Sequence, residues 1–246
     1  MNISADAPVT LTVTGKPGYQ RSRWAVDGYT LTGLPVDPDW SGGVSVVSFF
    51  GPSSAHYDAA ASRPRGIHKL QSNGVWIPLS STDVLAAGEA YWIYTQGSSD
   101  YLAPIEAEIP GVTEISYPLG GDQKELAFNF RSAAAGDGVR TVYLSHWLPD
   151  QSLPLRISEF APQEGTTWLD LPNGYPVSPT QGTRRTIRLA AGRDRVPGLL
   201  YEGILTLKAA GVRHVIPLTI ERDKPDTVAQ ASRPFNPMAS RSCCRV

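Results

Sequence analysis

The segment LLYEGILTLKAAGVRHVIPLTIER, residues 199–222, constrains the possible fold more than any other part of the chain. Apolar and polar side chains alternate on both sides of a central Ala-Ala-Gly, and a period of two places each set on one face of a β-sheet. Gly211 can adopt a positive φ at little cost, so the segment is predicted to be a β-hairpin. Pro217 lacks a backbone N–H, which predicts an edge position or a bulge in the second strand.

Composition extends this prediction to the rest of the chain. The 246 residues include 23 glycines and 21 prolines, which interrupt helices, and short runs of β-branched and aromatic residues recur between them. Hydrophobic residues make up 41% and charged residues 18%, so the chain can bury real cores. We therefore predict an all-β fold of two β-sandwich-like domains in tandem, the second immunoglobulin-like, followed by a disordered C-terminal tail.

Turn signals and a change in composition divide the chain into three parts. Pro110-Gly111 forms a natural boundary, because neither residue continues a strand readily. The predicted parts are an N-terminal all-β domain at residues 1–112, an immunoglobulin-like β-sandwich at 113–222, and a tail or linker containing Pro, Ser and Arg at 223–246. The last part is polar and lacks an alternating pattern, so no strand is predicted there.

The second half carries a resemblance to a known family. Its segments are ELAFNF, TVYLSHWLPDQSLPLRIS, TTWLDLPNG, TIRLAAGRDRVPGLLYEGILTL and HVIPLTI, and together they resemble the BACON-type bacterial immunoglobulin-like domain over about residues 114–222. The family's Trp-Leu strand matches Trp168 and the following leucine, and its Pro-Gly-x-Tyr-x-Gly hairpin matches Pro197 to Gly203 with one extra residue before Tyr201. The resemblance implies that Trp168 and Tyr201 are core aromatics, that Gly203 relieves crowding, and that no catalytic residue is present. It also implies a secreted, multidomain bacterial protein of a family in which some members are proposed to bind glycans and others look like spacers.

The first half resembles segments of large secreted bacterial surface proteins, through WAVDGYTLTGLPVDPDW and GEAYWIYTQGSSDYLAPI. This resemblance implies an extracellular or cell-surface location. No signal peptide is visible, because MNISADAPVTLTV lacks a basic segment followed by an apolar run. Either the protein stays inside the cell or the signal peptide has been removed and Met1 marks a mature end; the resemblance favours removal. Cys243 and Cys244 are adjacent near the C-terminus, so they cannot cross-link the domains; they are either a passive end or exposed thiols that join chains.

Motifs for catalysis and for cofactor binding are missing from the sequence. The four histidines, His56, His68, His146 and His214, do not have the close pairing of a zinc site. The sequence also lacks a G-x-S-x-G elbow, a glycine-rich phosphate loop and an H-E-x-x-H helix. We therefore predict a protein that is not an enzyme and holds no cofactor.

Asp37 and Asp39 form the one weak metal candidate. Two carboxylates at i and i+2 on a strand would share a face where a calcium ion could sit. The intervening proline favours a turn, and a turn is the stronger interpretation.

Aromatic side chains in the first half suggest a carbohydrate platform, because the C–H faces of sugars stack on exposed rings. Trp40, Tyr57 and Tyr101 lie in loop-like sequence contexts and are the candidate ligand-binding residues. The alternation in residues 91–94, Tyr-Trp-Ile-Tyr, instead predicts a strand that is buried on both faces.

Two functions are compatible with these observations. The leading hypothesis is a non-catalytic extracellular structural or adhesive module of a bacterial surface or secreted protein, which self-associates through open strand edges near Pro217 or at Pro8–Thr14. The alternative is a carbohydrate-binding module that uses the exposed aromatics of the first domain. The net charge of −1 gives no reason to expect nucleic acid as a partner, and no apolar run reaches the roughly 20 residues of a membrane span.

Overall fold

The computed structural model describes residues 14–15, 18–19, 23–111, 113–131, 141–148, 150–161, 165–178 and 184–223. The predicted tail from residue 224, with Cys243 and Cys244, lies outside these ranges, as does all of the predicted strand Pro8–Thr14 except its last residue. Within the described ranges the chain consists almost entirely of strands and turns, which confirms the all-β, sandwich-like fold class.

The described part of the N-terminal unit contains short strands and one helix. The strands are β1 (Gly28–Gly33), β2 (Val44–Ser45), β3 (Tyr57–Asp58), β4 (Arg63–Pro64), β5 (Ile67–Leu70), β6 (Trp76–Pro78), β7 (Val84–Leu85) and β8 (Ala90–Thr95). The helix α1 (Val46–Phe50) follows β2 directly. An antiparallel sheet runs in the order β1-β8-β5-β6, and β2–β7 and β3–β4 form two-stranded ribbons.

The helix and one face of β8 supply the core of this unit. Ser45 caps α1, because its hydroxyl accepts a hydrogen bond from a backbone N–H at 3.2 Å. Phe49 and Phe50 on the helix are fully buried, as are Tyr91 and Ile93 on β8. The residues that alternate with Tyr91 and Ile93 therefore point away from the core.

The second unit contains ten described strands in two five-stranded sheets. They are β9 (Ile105–Glu108), β10 (Ile115–Tyr117), β11 (Gln123–Phe130), β12 (Val142–His146), β13 (Leu155–Ala161), β14 (Gly165–Asp170), β15 (Tyr175–Val177), β16 (Arg184–Ala191), β17 (Leu200–Ala209) and β18 (Val212–Glu221). One sheet has the order β10-β18-β17-β12-β15 and the other β14-β13-β16-β11-β9. The pair β10–β18 is parallel, and the other described pairs are antiparallel.

The hairpin predicted from the sequence is present as β17 and β18. Its two-residue turn has positive φ at Ala210 (50°) and Gly211 (78°), the signature of a type I′ turn. On its other side β18 pairs with β10 only over Leu218–Ile220. The prediction of an edge strand or a bulge is wrong, because β18 lies between β10 and β17 and its register with β17 is continuous through Pro217. The proline is accommodated because the pairing with β10 begins only at Leu218.

Strand β9 belongs to the second unit. It lies within the predicted domain 1–112, but it pairs antiparallel with β11 and forms the end of that sheet. The Pro110-Gly111 turn therefore separates β9 from β10, which lie in different sheets of the same sandwich. A local turn signal shows where a strand ends but not which sheet the strand joins.

Two backbone hydrogen bonds join the units at the turn of the β17–β18 hairpin. The N–H of Asp37 donates to the carbonyl of Gly211 at 2.7 Å, and the N–H of Arg213 donates to the carbonyl of Pro35 at 2.8 Å. We call the contact between residues 35–44 and residues 208–213 the inter-unit junction. It fixes the loop after β1 against the end of the second unit.

Candidate functional site

Two of the three predicted ligand-binding aromatics lie in the core. Tyr57 is 6% exposed and Tyr101 is 1% exposed. Their hydroxyls are also occupied: Tyr57 shares a hydrogen bond of 2.9 Å with Ser81, and Tyr101 donates to the carbonyl of Phe49. A sugar ring cannot stack on either side chain, so the interpretation of both as exposed loop aromatics is wrong. The loops around them fold inward because their rings complete the core.

Trp40 is exposed, but it stands apart from the other two. Its exposed fraction is 51%, and its indole lies beside the hairpin turn, since a Cβ built on Gly211 would be 3.0 Å from Trp40 Cδ1. Trp40 therefore belongs to the inter-unit junction. The structure does not bring the three predicted residues together on one surface.

The carboxylates of Asp37 and Asp39 are held by the protein's own cations. Lys208 Nζ lies 3.5 Å from Asp37 and 2.7 Å from Asp39, and Arg213 Nη1 lies 3.4 Å and 3.1 Å from the same two residues. The hydrogen bond from Lys208 lowers the pKa of Asp39. The ammonium group of Lys208 and the guanidinium group of Arg213 thus occupy the position that the sequence pattern suggests for a calcium ion. The four residues form part of the inter-unit junction. Within the described ranges, no group of three or more His, Cys, Asp or Glu side chains could hold a metal.

Two of the exposed aromatics, Tyr29 and Trp92, instead lie together on the outer face of the four-stranded sheet. Cross-strand register places these side chains on one surface, because directly opposed residues in antiparallel strands share a face. Leu31 on β1 is opposite Trp92 on β8, and Trp92 is opposite His68 on β5. The neighbouring rows add Tyr29 opposite Tyr94, and Leu70 opposite Trp76. We call these seven residues the aromatic sheet face.

The rings of the aromatic sheet face contact one another in T-shaped and tilted arrangements. The centroid of Tyr29 lies 6.2 Å from that of Trp92 at 73°, and 5.3 Å from that of Tyr94 at 59°. Trp76 and Trp92 are 6.2 Å apart at 79°. These contacts orient the rings before any ligand arrives, while Tyr29 remains 47% exposed and Trp92 37% exposed.

The exposure of Trp92 shows that the prediction of a β8 strand buried on both faces is wrong. Tyr91 and Ile93 point to the core, but Trp92 points to solvent. The sequence pattern could not distinguish the two cases, because a strand with apolar residues on both faces looks the same whether the second face packs on protein or meets water. Large exposed apolar patches are found at the binding surfaces of soluble proteins, so this face is the candidate site.

The second unit has a solvent-exposed sheet face of a different chemical character, which carries ion pairs. On the outer face of β11 and β16, Arg188 pairs with Glu125 at 3.3 Å. Arg184 pairs with Glu108 on the neighbouring β9 at 2.8 Å. No Lys, Arg, Asp or Glu belongs to the aromatic sheet face, so the two exposed sheets differ in chemistry.

A serine–histidine pair exists in the core of the first unit. Ser53 Oγ lies 2.8 Å from His56 Nδ1, and Thr95 Oγ1 lies 3.2 Å from the other ring nitrogen. Both Ser53 and His56 are buried, and the indole of Trp24 lies 4.4 Å from the imidazole centroid. Desolvation lowers the pKa of His56 to about 4. The pair is within the reach expected of a nucleophile and its base, but its enclosure leaves no space for a substrate.

Neither a scan against protein-family models nor a search of curated proteins gives a match for this chain. Among the described residues, no helix is long and apolar enough to cross a membrane.

Proposed function

We propose that the protein is a non-catalytic, extracellular adhesive module that binds polysaccharide through the aromatic sheet face. The observation that carries this proposal is the exposure of Tyr29 and Trp92 on a face without charged residues. This function joins the adhesive role and the carbohydrate-binding role that the sequence left as alternatives.

The chemistry of the face favours a neutral polyhydroxylated ligand. Indole and phenol rings offer flat apolar surfaces to the C–H faces of pyranose rings, and the hydroxyls of Tyr29 and Tyr94 and the imidazole of His68 offer hydrogen bonds to sugar hydroxyls. The face is a sheet surface of four strands about 4.8 Å apart, which suits an extended chain better than a small enclosed molecule.

An extracellular bacterial setting is part of the proposal and rests on the two resemblances. Segments of the first half resemble secreted surface proteins, and the second half resembles BACON-type domains, some of which are proposed to bind glycans. In this proposal the second unit is a framework that holds the binding unit, and the outer face of its strands β9, β11 and β16 carries ion pairs.

Retention on polysaccharides tests the proposal. The purified protein would be run through native gels containing soluble xylan, mannan or starch and mixed with insoluble cellulose and chitin. We expect retention on at least one of them, and we expect Trp92→Ala to weaken it by roughly threefold to tenfold, the effect of removing one stacked ring.

Trp40→Ala is the matched control, because Trp40 is at least as exposed but belongs to the inter-unit junction. It should retain wild-type binding. The proposal fails if no polysaccharide retains the wild type, or if Trp92→Ala and Trp40→Ala behave alike.

Self-association is a second candidate function, and β1 is the strand edge that favours it. This strand ends its sheet and contains neither a charged residue nor a proline over Gly28–Gly33. The edge strand β9 carries Glu106 and Glu108, and the edge strand β15 carries Pro176, which are ordinary protections against edge-to-edge pairing.

Light scattering over a range of protein concentrations tests the second candidate. Molar mass should rise with concentration for the wild type and stay monomeric for Leu31→Lys. Leu70→Lys places the same charge on the same face away from β1 and should behave as wild type. A wild type that is monomeric at every concentration would eliminate self-association.

A further inference from the structure

A groove lies between the open edge of strand β1 and the first half of strand β18. Its volume is about 870 Å³. One side is lined by residues 30–35, which belong to β1 and the loop that follows it, and the other side by residues 213–215 of β18. Among the described lining residues, the groove shares only Leu31 with the aromatic sheet face. It is therefore a different surface from the one proposed to bind polysaccharide.

The inter-unit junction closes one end of this groove. There Val36 forms a β-bridge with Val212, and the N–H of Arg213 donates to the carbonyl of Pro35 at 2.8 Å. The N–H of Val36 also donates to the carbonyl of Leu34 at 2.8 Å, which is the hydrogen bond of a tight three-residue turn. Because of this turn the chain pairs with β18 at the junction but not along β1, and the groove is the space left between the two strands.

Backbone hydrogen-bonding groups face the groove from both strands. Among the described strands β1 pairs only with β8, so its other edge is unpaired. In β18, Arg213 directs its N–H away from β17, and Val215, two residues further along, directs its N–H to the same side. Pairing with β10 on that side begins only at Leu218. An extended peptide can therefore form hydrogen bonds in the groove as an added strand does.

The charge of the groove favours an acidic peptide. Arg23 and Arg213 are among the described residues that line it, and no Asp or Glu is among them. Arg213 is paired with Asp37 and Asp39 in the inter-unit junction, so Arg23 supplies the uncompensated positive charge of the lining. A carboxylate on a bound peptide would be attracted to this guanidinium.

The position of Arg23 at the groove is fixed by its neighbour in the sequence. Trp24 is buried, and its indole N–H donates to the carbonyl of Tyr101. Arg23 itself is exposed. The backbone is thus anchored in the core of the first unit, while the guanidinium remains accessible to a ligand.

We propose that this groove binds an extended acidic peptide of another protein, which adds to the edges of β1 and β18 as a further strand and places a carboxylate beside Arg23. This inference goes beyond the proposed function, because its ligand is a peptide and its site is a strand edge. The self-association considered above uses the same edge of β1, so a second copy of this chain is the competing occupant.

Fluorescence anisotropy of synthetic peptides with the whole chain tests this proposal. The probe is a labelled peptide of about eight residues, which alternates valine and threonine around a central aspartate and so favours an extended strand. One comparison peptide has lysine in place of the aspartate, and another has N-methyl groups that block its backbone hydrogen bonds. We expect the aspartate peptide to bind at least threefold more tightly than the lysine peptide and tenfold more tightly than the N-methylated peptide. Equal binding of the three peptides, or no binding, would overturn the proposal.

Variants locate the bound peptide. Arg23→Ala should weaken binding of the aspartate peptide by roughly threefold to tenfold, and Arg23→Lys should preserve most of it. Val215→Pro removes an N–H that faces the groove and not β17, so it should weaken binding of the aspartate and lysine peptides alike. Arg23 is exposed, so its variants keep the test valid even where Val215→Pro disturbs the fold.

Arg63→Ala is the matched control, because Arg63 is an exposed arginine on β4 outside the groove. It should bind the aspartate peptide as the wild type does. If Arg23→Ala and Arg63→Ala bind the peptide equally well, the carboxylate does not lie beside Arg23 and the proposal is wrong.

Trp92→Ala separates this proposal from the polysaccharide proposal. It should weaken polysaccharide retention and leave binding of the aspartate peptide unchanged. Loss of peptide binding in Trp92→Ala but not in Arg23→Ala would place the peptide on the aromatic sheet face and contradict the groove site. Release of the bound peptide as the protein concentration is raised further would identify a second copy as the occupant and would also overturn the proposal.

Discussion

At the scale of single residues, two of the buried histidines, His56 and His214, determine how the fold responds to acid. His56 contacts two hydroxyls in the first unit, and His214 donates from Nε2 to the carbonyl of Ile105 at 2.6 Å in the second. Desolvation lowers the pKa of each to about 4, against an ordinary value near 6.5. Between these values the unfolded chain binds more protons than the folded one, so stability falls as pH falls.

The first prediction follows from this direction of the pH dependence of stability. Stability should be fully present above about pH 6.5 and should decrease by roughly 2 kcal/mol per histidine by pH 5. Urea denaturation at pH 7.5 and pH 5 measures the loss, and His214→Gln should remove about half of it. His68→Gln, on the surface sheet, should leave the loss unchanged; the same loss in His214→Gln as in the wild type would contradict the account.

Gly211 allows a second prediction at this scale. Its φ is 78°, and an added Cβ would lie 2.4 Å from Val44 Cγ2, across the inter-unit junction. Gly74 has a similar φ of 83° but open space around it. Gly74→Ala should therefore cost about 1 kcal/mol of unfolding free energy from the backbone alone, whereas Gly211→Ala should cost clearly more. Equal costs would mean that the turn is not pressed against Val44.

Gly203 lies in close contact with the ring of Tyr201. An added Cβ would lie 2.5 Å from the hydroxyl oxygen of Tyr201, so the glycine makes room for this ring, as the resemblance implied. The Tyr201 hydroxyl in turn lies 3.2 Å from His146 Nε2. Trp168 differs from that expectation: it is only partly buried on the edge strand β14.

At the scale of elements, the loop after β1 is fastened to the hairpin by charges of unequal burial. Asp37 is buried, and its carboxylate also accepts the Asp39 N–H at 3.2 Å, whereas Asp39 is exposed. Removing one partner of a buried ion pair leaves an uncompensated charge, so it costs more free energy than breaking an exposed pair does.

The third prediction compares these two carboxylates. Asp37→Asn should lower the free energy of unfolding by about 2 kcal/mol, because it removes a buried charge from two cations. Asp39→Asn should have little effect, because solvent screens its pairs. Chemical denaturation of both variants in low salt measures the difference, and an effect of Asp39→Asn as large as that of Asp37→Asn would contradict this interpretation.

Local sequence patterns predict individual strands and hairpins better than they predict which strands pair with each other. The β17–β18 hairpin was predictable because its alternation and its turn glycine lie within 24 consecutive residues. The assignment of β9 to the second sandwich depends on pairing with β11, about 20 residues away, which the local sequence does not encode.

The candidate site could not be predicted from the sequence for a related reason. Whether Trp92 or Tyr101 is exposed depends on which face of a sheet the rest of the chain covers. Loop-like sequence context favoured Tyr101, and an apolar strand pattern concealed Trp92. The register of β1, β8 and β5, available only from the fold, brings the exposed rings into one surface.

At the scale of the whole molecule, the inter-unit junction connects the two units. Besides the backbone hydrogen bonds at Asp37 and Arg213, the ion pairs of Asp37 and Asp39 with Lys208 and Arg213 cross from the first unit to the second. Contacts of this kind couple the unfolding of neighbouring units.

The fourth prediction is a single calorimetric transition for the wild type. Arg213→Ala removes the cation shared by Asp37, Asp39 and Trp147, and it should split the transition or broaden it markedly. Arg188→Ala, which breaks only an exposed pair with Glu125, should leave one transition. Two well-separated transitions in the wild type would show that the units unfold independently.

The most direct measurement of the central claim is hydroxyl-radical footprinting of the tryptophans, with and without the polysaccharide that retains the protein. If the aromatic sheet face is the binding surface, bound polysaccharide should strongly reduce oxidation of Trp92 and Trp76 and leave Trp40 oxidised as before. If Trp92 is oxidised equally in both samples while Trp40 becomes protected, the ligand binds at the inter-unit junction and the proposed function of the aromatic sheet face is wrong.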